Sequence, residues 1–87
     1  MKLRQLRKEV ATAIGGMTEY PVGFMIGPVI RQRTAEYTHF LRVQHRTKFV
    51  EVGLMPSDMD LPLDDLLEQH VRPAVDKLVA SINPVAA

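Results

Sequence analysis

Eighty-seven residues supply one domain and too little chain for two separate cores. With 46% hydrophobic and 24% charged residues the chain is not disordered throughout. Nor does any apolar run approach the ~18–20 residues of a membrane span, and zero cysteines exclude a disulfide framework, a thiolate metal site and a cysteine nucleophile.

The net charge of +1 hides an uneven distribution. Residues 1–48 carry nine Lys/Arg against three acids, a net +6, whereas residues 49–87 carry two against seven, a net −5. Three readings stay open. The basic half forms a nucleic-acid surface, a two-signed protomer stacks head to tail with its neighbours, or the two sets merely solvate the fold. The opening Met1-Lys2-Leu3-Arg4-Gln5-Leu6-Arg7-Lys8 lacks a signal peptide's apolar stretch, so a cytoplasmic chain is expected.

In chain order, Leu3, Leu6, Val10, Ala13 and Ile14 recur at three- and four-residue steps and predict an amphipathic helix over residues 2–14. Gly15-Gly16 is expected to end it through a left-handed glycine. A first strand is predicted over about 21–33, with Val22, Phe24 and Ile26 alternating with Gly23, Met25 and Gly27, and a bend at Gly27-Pro28. Thr34-Ala35 is a weakly marked turn. Residues 36–45 and 48–54 form a hairpin around His45-Arg46-Thr47-Lys48. The expected register sets Gln44 against Phe49, Val43 against Val50, Leu41 against Val52 and His39 against Leu54. That gathers the apolar residues on one side and brings Arg42 opposite Glu51 on the other. After the loop Met55–Leu61, a long helix is predicted over about 62–82, with Asp60 as its N-cap. Leu63, Leu66, Leu67, Val71, Ala74, Val75, Leu78, Val79 and Ile82 keep helical spacing along it. Pro73 should kink it near Gln69–Arg72, because proline lacks an N–H and presses on the carbonyl of Gln69. Asn83-Pro84 ends it. The expected fold is a single α+β domain over 1–87, an antiparallel sheet of three to four strands with an N-terminal and a long kinked C-terminal helix (α-β-β-β-α).

Few residues are arranged for chemistry. His39, His45 and His70 lie on different elements without zinc-site spacing. The acids Asp58, Asp60, Asp64 and Asp65 fit no calcium loop and suit the positive end of a helix. Ser57 and Ser81 lack a His/Asp relay, and the glycines form no phosphate loop. No catalytic set, metal or cofactor is expected. Arg31, Arg33, Arg42, Arg46 and Lys48, interleaved with Tyr37, Phe40 and Phe49, have the mixture that binds single-stranded nucleic acid, although Phe40 and Phe49 would serve equally well packed beneath a helix.

Several stretches resemble the tail terminator proteins of long-tailed, lambda-like bacteriophages. The opening Met1-Lys2…Leu6-Arg7…Val10…Ala13-Ile14 resembles their first helix, and Glu19-Tyr20-Pro21-Val22 the entry to their first core strand. Val50-Glu51-Val52-Gly53-Leu54, followed by Leu63-Asp64-Asp65-Leu66-Leu67-Glu68-Gln69-His70-Val71-Arg72-Pro73, is similar in strand, loop length and helix with internal proline. The likeness spans about residues 1–80. It is to a shortened member, because Ile14 to Tyr20 is brief and the family's further strand after the last helix has no counterpart before Ala87. The resemblance implies a non-enzymatic virion protein of the tail or neck, assembled in the host cytoplasm. It would form a six-fold ring that caps the tail tube, stops its polymerisation and offers a surface to the head connector. On charge, Arg31, Arg33, Arg42 and Arg46 are then expected at one subunit contact and Asp58, Asp60, Asp64 and Asp65 at another. The alternative is a small dimeric nucleic-acid-binding protein that uses the Arg-rich strands.

Overall fold

The computed structural model describes residues 3–29 and 37–82. Helix α1 (Leu3–Gly15) buries Leu6, Val10 and Ile14, the four-step stripe that the spacing predicts. Its end differs from expectation, since neither glycine is left-handed. The Gly16 N–H instead reaches the Ala13 carbonyl at 3.0 Å and the Met17 N–H reaches that of Ile14 at 2.9 Å. These three-residue bonds satisfy carbonyls at the helix end and remove the need for a left-handed cap.

Strand β1 (Gly23–Pro28) pairs antiparallel with β2 (His39–His45), and β2 with β3 (Lys48–Leu54), giving the order β1-β2-β3. The first strand starts later than predicted. Pro21 has no N–H to give a ladder, and its carbonyl is already taken by His45 Nδ1 at 2.8 Å. Its predicted continuation from residue 30 to 33, and the Thr34-Ala35 turn, lie outside the described residues. The hairpin register is the predicted one at every pair from His39–Leu54 to Gln44–Phe49. The loop is tighter than expected, because His45 and Lys48 also pair. Only Arg46-Thr47 remain between them, and Arg46 turns the corner at φ 56°.

A 3₁₀ turn (Pro56–Asp60) leads from β3 to the C-terminal helix. This helix is continuous but not uniform. A short α2 (Leu63–Leu66) passes through a π turn (Leu67–Val71) into α3 (Arg72–Ile82). In the π turn the Arg72 N–H bonds five residues back to the Leu67 carbonyl. The predicted irregularity before Pro73 therefore takes the form of one wide turn, which accommodates a residue that can give no N–H. The extra residue also resets the phase: buried Leu66 is followed five residues later by buried Val71, then by Ala74, Val75 and Leu78. Asp60 is not the N-cap; the helix follows Pro62 without a side-chain cap. The expected stop at Asn83-Pro84 lies outside the described residues.

The fold is α+β in the order α-β-β-β-α. Helix α1 packs over β1 and α3 over β2 and β3, all on one face of the sheet. Between the layers lie Ile26, Leu41, Val43 and Leu54 from the sheet, with the helical residues named above. Among the described residues no polar or charged side chain is buried in this core. Its stability comes from apolar burial, at roughly 25 cal/mol per Å² removed from water.

Candidate interaction surface

Because strand side chains alternate, a register that points Ile26, Leu41, Val43, Val50, Val52 and Leu54 at the helices must point the others away from them. The outer face consists of three rows across the sheet: Gly23–Gln44–Phe49, Met25–Arg42–Glu51 and Gly27–Phe40–Gly53. No described helix covers it. Met25, Tyr37 and Phe49 are about half exposed there, at 51%, 46% and 53%. The sequence left Phe40 and Phe49 divided between a core and a surface role, and the register assigns both to the uncovered face.

Polar and aromatic groups on this face hold one another. Arg42 donates from Nε (2.9 Å) and Nη2 (2.6 Å) to Glu51 Oε2, and its guanidinium lies 4.6 Å from the centre of the Phe49 ring. The cation is thus neutralised by the carboxylate and spread over the aromatic face. Tyr37 lies across Gly53, so close that a Cβ built there would stand 2.8 Å from the ring. Phe40 lies beside Gly27, where a Cβ would stand an ordinary 3.8 Å from its ring. Aromatic rings thus lie against both outer-face glycines of this row. A shallow depression of about 440 Å³ opens over Gly23, walled by Pro21, Met25, Arg42, Gln44 and Arg46.

Two groups of exposed charged residues stand at opposite ends of the sheet, away from the central Arg42–Glu51 pair. Arg46 and Lys48, both exposed, stand at the hairpin tip. From there β3 runs seven residues, roughly 20 Å, to Leu54. Beyond it the 3₁₀ turn and helix start carry Asp60, Asp64 and Asp65, also exposed. Arg31 and Arg33 lie outside the described residues. Asp58 does not belong with the exposed acids. Its Oδ2 accepts the Met55 N–H at 2.9 Å and its Oδ1 accepts His70 Nε2 at 3.0 Å, tying the turn to the helix. The backbone N–H of Met55 is the main cause that holds its carboxyl below the ordinary 3.8; partial burial opposes this, and the bond and charge of His70 add to it.

The other histidines also have local partners. His39 Nδ1 lies 3.1 Å from Thr38 Oγ1, and the His45 ring meets Tyr20 edge-on at 5.6 Å. Among the described residues no group of three or more His, Cys, Asp and Glu is placed to hold a metal ion, and no helix is long and apolar enough to cross a membrane. The Asp58–His70 tie and the Tyr37–Gly53 contact escaped the sequence reading, since twelve and sixteen residues separate the partners and no periodicity links them. The chain matches no protein-family model, no curated protein and no solved structure.

Proposed function

We propose that this chain is a structural virion subunit of the tail-terminator kind, working by assembly rather than catalysis. Copies join head to tail into a six-fold ring that caps a phage tail tube, ends its polymerisation and gives the head connector a surface to join. In this reading the protein is built in the host cytoplasm and resides in the tail or neck. One observation carries the ring: the basic hairpin tip (Arg46, Lys48) and the acidic turn and helix start (Asp60, Asp64, Asp65) stand at opposite ends of β3. A ring made by rotation needs two different, complementary patches on each protomer, and opposite charges at opposite ends supply them. The uncovered outer face is left for an axial partner.

Nucleic-acid binding on the Arg-rich strands has less support, because the Arg42 guanidinium is engaged by Glu51 and Phe49. Native mass spectrometry over a concentration series at two salt levels tests the choice. A six-subunit species that recedes as salt rises supports the ring. A dimer that shifts on adding a single-stranded oligonucleotide, with affinity falling steeply in salt, overturns it.

A further inference from the structure

The two edges of the sheet are built differently. The Val29 N–H donates to the Thr38 carbonyl at 3.1 Å, which sets the bonding phase: even-numbered residues of β2 face β1, and odd-numbered ones face β3. On β3, residues 50, 52 and 54 therefore bond inward, and Phe49, Glu51 and Gly53 direct their N–H and C=O groups outward. No described main-chain or side-chain group bonds to these. On β1 the outward residues are Phe24, Ile26 and Pro28, and this edge is blunted. Pro28 has no N–H, and the Ile26 carbonyl accepts Arg7 Nε at 3.3 Å and Nη2 at 3.0 Å.

We propose that the open edge of β3 pairs with the β3 edge of a second copy of this chain, antiparallel and two-fold about Val50, to make one six-stranded sheet. Charge and strand length together select this register. Centring the pair on Glu51 sets two carboxylates directly opposite each other, which is repulsive. Centring it on Phe49 places Glu51 beyond the start of the other β3, and centring on Val52 places Phe49 beyond its end. About Val50, each Phe49 faces the other copy's Glu51, and these two pairs exchange both main-chain bonds. The Arg42 guanidinium, already over Phe49 and bonded to its own Glu51, then stands beside the second copy's Glu51 as well. Two cations and two carboxylates alternate across the joint. On the inner face the half-buried Val50 meets its own counterpart, and Val52 meets the stem of Lys48. The blunted β1 edge prevents the sheet from extending further, so the pair closes. This contact is argued from the sheet edge and not from the tail-terminator reading, and it shares with the ring only Lys48, whose stem lies beside the second copy's Val52.

The chain has no cysteine, which makes single-cysteine variants clean reporters. In the proposed register Val50 faces its counterpart in a non-hydrogen-bonded pair, with Cα atoms about 4.5 Å apart, a separation a disulfide spans. Val52 and its counterpart are offset by four residues, roughly 14 Å, which no disulfide spans. Val50→Cys is expected to oxidise to a covalent dimer at least ~10-fold faster than Val52→Cys, with circular dichroism confirming that both fold. Glu51→Pro removes an outward-facing donor and the carboxylate of the joint while sparing the main-chain bonds to β2, so it is expected to lower the dimer fraction in native mass spectrometry, with circular dichroism confirming that it folds without the Arg42–Glu51 pair. Equal oxidation rates at the two positions overturn the proposal, as does a dimer fraction that Glu51→Pro leaves unchanged.

Discussion

Gly27 and Gly53 flank Phe40 in one row of the uncovered face, yet they stand under different constraints. At Gly53 a methyl group would meet the body of the Tyr37 ring at 2.8 Å, so the ring must lift from the strand. At Gly27 the nearest atom stands at 3.8 Å, ordinary contact, and φ is not positive. Gly53→Ala is therefore expected to destabilise by about 1–2 kcal/mol, the usual cost of overpacking. Gly27→Ala should be neutral, or stabilise by up to ~1 kcal/mol through a less flexible unfolded chain. Urea midpoints of the two variants give the comparison, and equal shifts would mean that Tyr37 yields freely. Asp58 poses a different question, that of pH. Its native carboxyl binds a proton less readily than in the unfolded chain, chiefly because the Met55 N–H bonds the ionised form. The stability it supplies is complete above the ordinary value of 3.8 and is lost as pH falls through the lowered native value. Asp58→Ala should cost about 1 kcal/mol at neutral pH. The gap from the parent chain should narrow in acid melts below about pH 4. A gap constant with pH would show that the carboxylate's charge contributes nothing.

Among the elements, the hairpin was the most legible, because two independent patterns demand one register: the apolar strip on the inner face and the Arg42–Glu51 pair on the outer. A slip of one residue violates both at once. The C-terminal helix was legible in extent but not in phase. Sequence spacing allows Leu67, four residues before Val71, to share its stripe, and only the π turn makes Leu66, five residues before, the buried partner. A proline announces that something must give without specifying whether the helix bends, breaks or widens. The helix start was misread for a similar reason. Asp60 has the spacing of a cap, yet the helix follows Pro62 with no side-chain cap, and the nearby Asp58 is engaged by the Met55 N–H and by His70 from the next element. Likewise, nothing local distinguishes a phenylalanine beneath a helix from one on an open face; the third dimension decides. The π turn makes a prediction of its own. Leu66→Ala should cost about 2–5 kcal/mol, as for a fully buried leucine, and Leu67→Ala clearly less. Chemical denaturation ranks the two. The reverse order would mean that residues 63–82 form a regular helix with Leu67 inward.

At the scale of the whole molecule, the sheet is a spacer that sets the exposed Arg46 and Lys48 at one end and the exposed Asp60, Asp64 and Asp65 at the other, and assembly is the behaviour this arrangement favours. Each charged end is exposed and contributes little to the fold of the single chain, since isolated surface charges are worth about 0–1 kcal/mol. Reversing them should therefore alter association far more than stability. In the proposed ring, Arg46 and Lys48 of one protomer would meet Asp60, Asp64 and Asp65 of the next, so Arg46→Glu with Lys48→Glu would place like charges at every joint around the circle. The expected result is loss of the six-subunit species, with the melting temperature little changed. Asp64→Lys with Asp65→Lys should produce the same loss from the opposite side. Mixing the two reversed proteins should restore a six-fold ring of alternating subunits, because the acidic tip of one meets the basic helix start of the other, and the basic tip of the second meets the acidic helix start of the first. Combining all four reversals in one chain restores complementarity at every joint, and the ring with it. Native mass spectrometry at low salt reads all three variants and the mixture. Rescue in the fourfold variant would establish that the two ends touch, which neither double variant could do alone. A ring that survives either double reversal would remove the charged ends from the contact and leave the uncovered sheet face as the surface to test next.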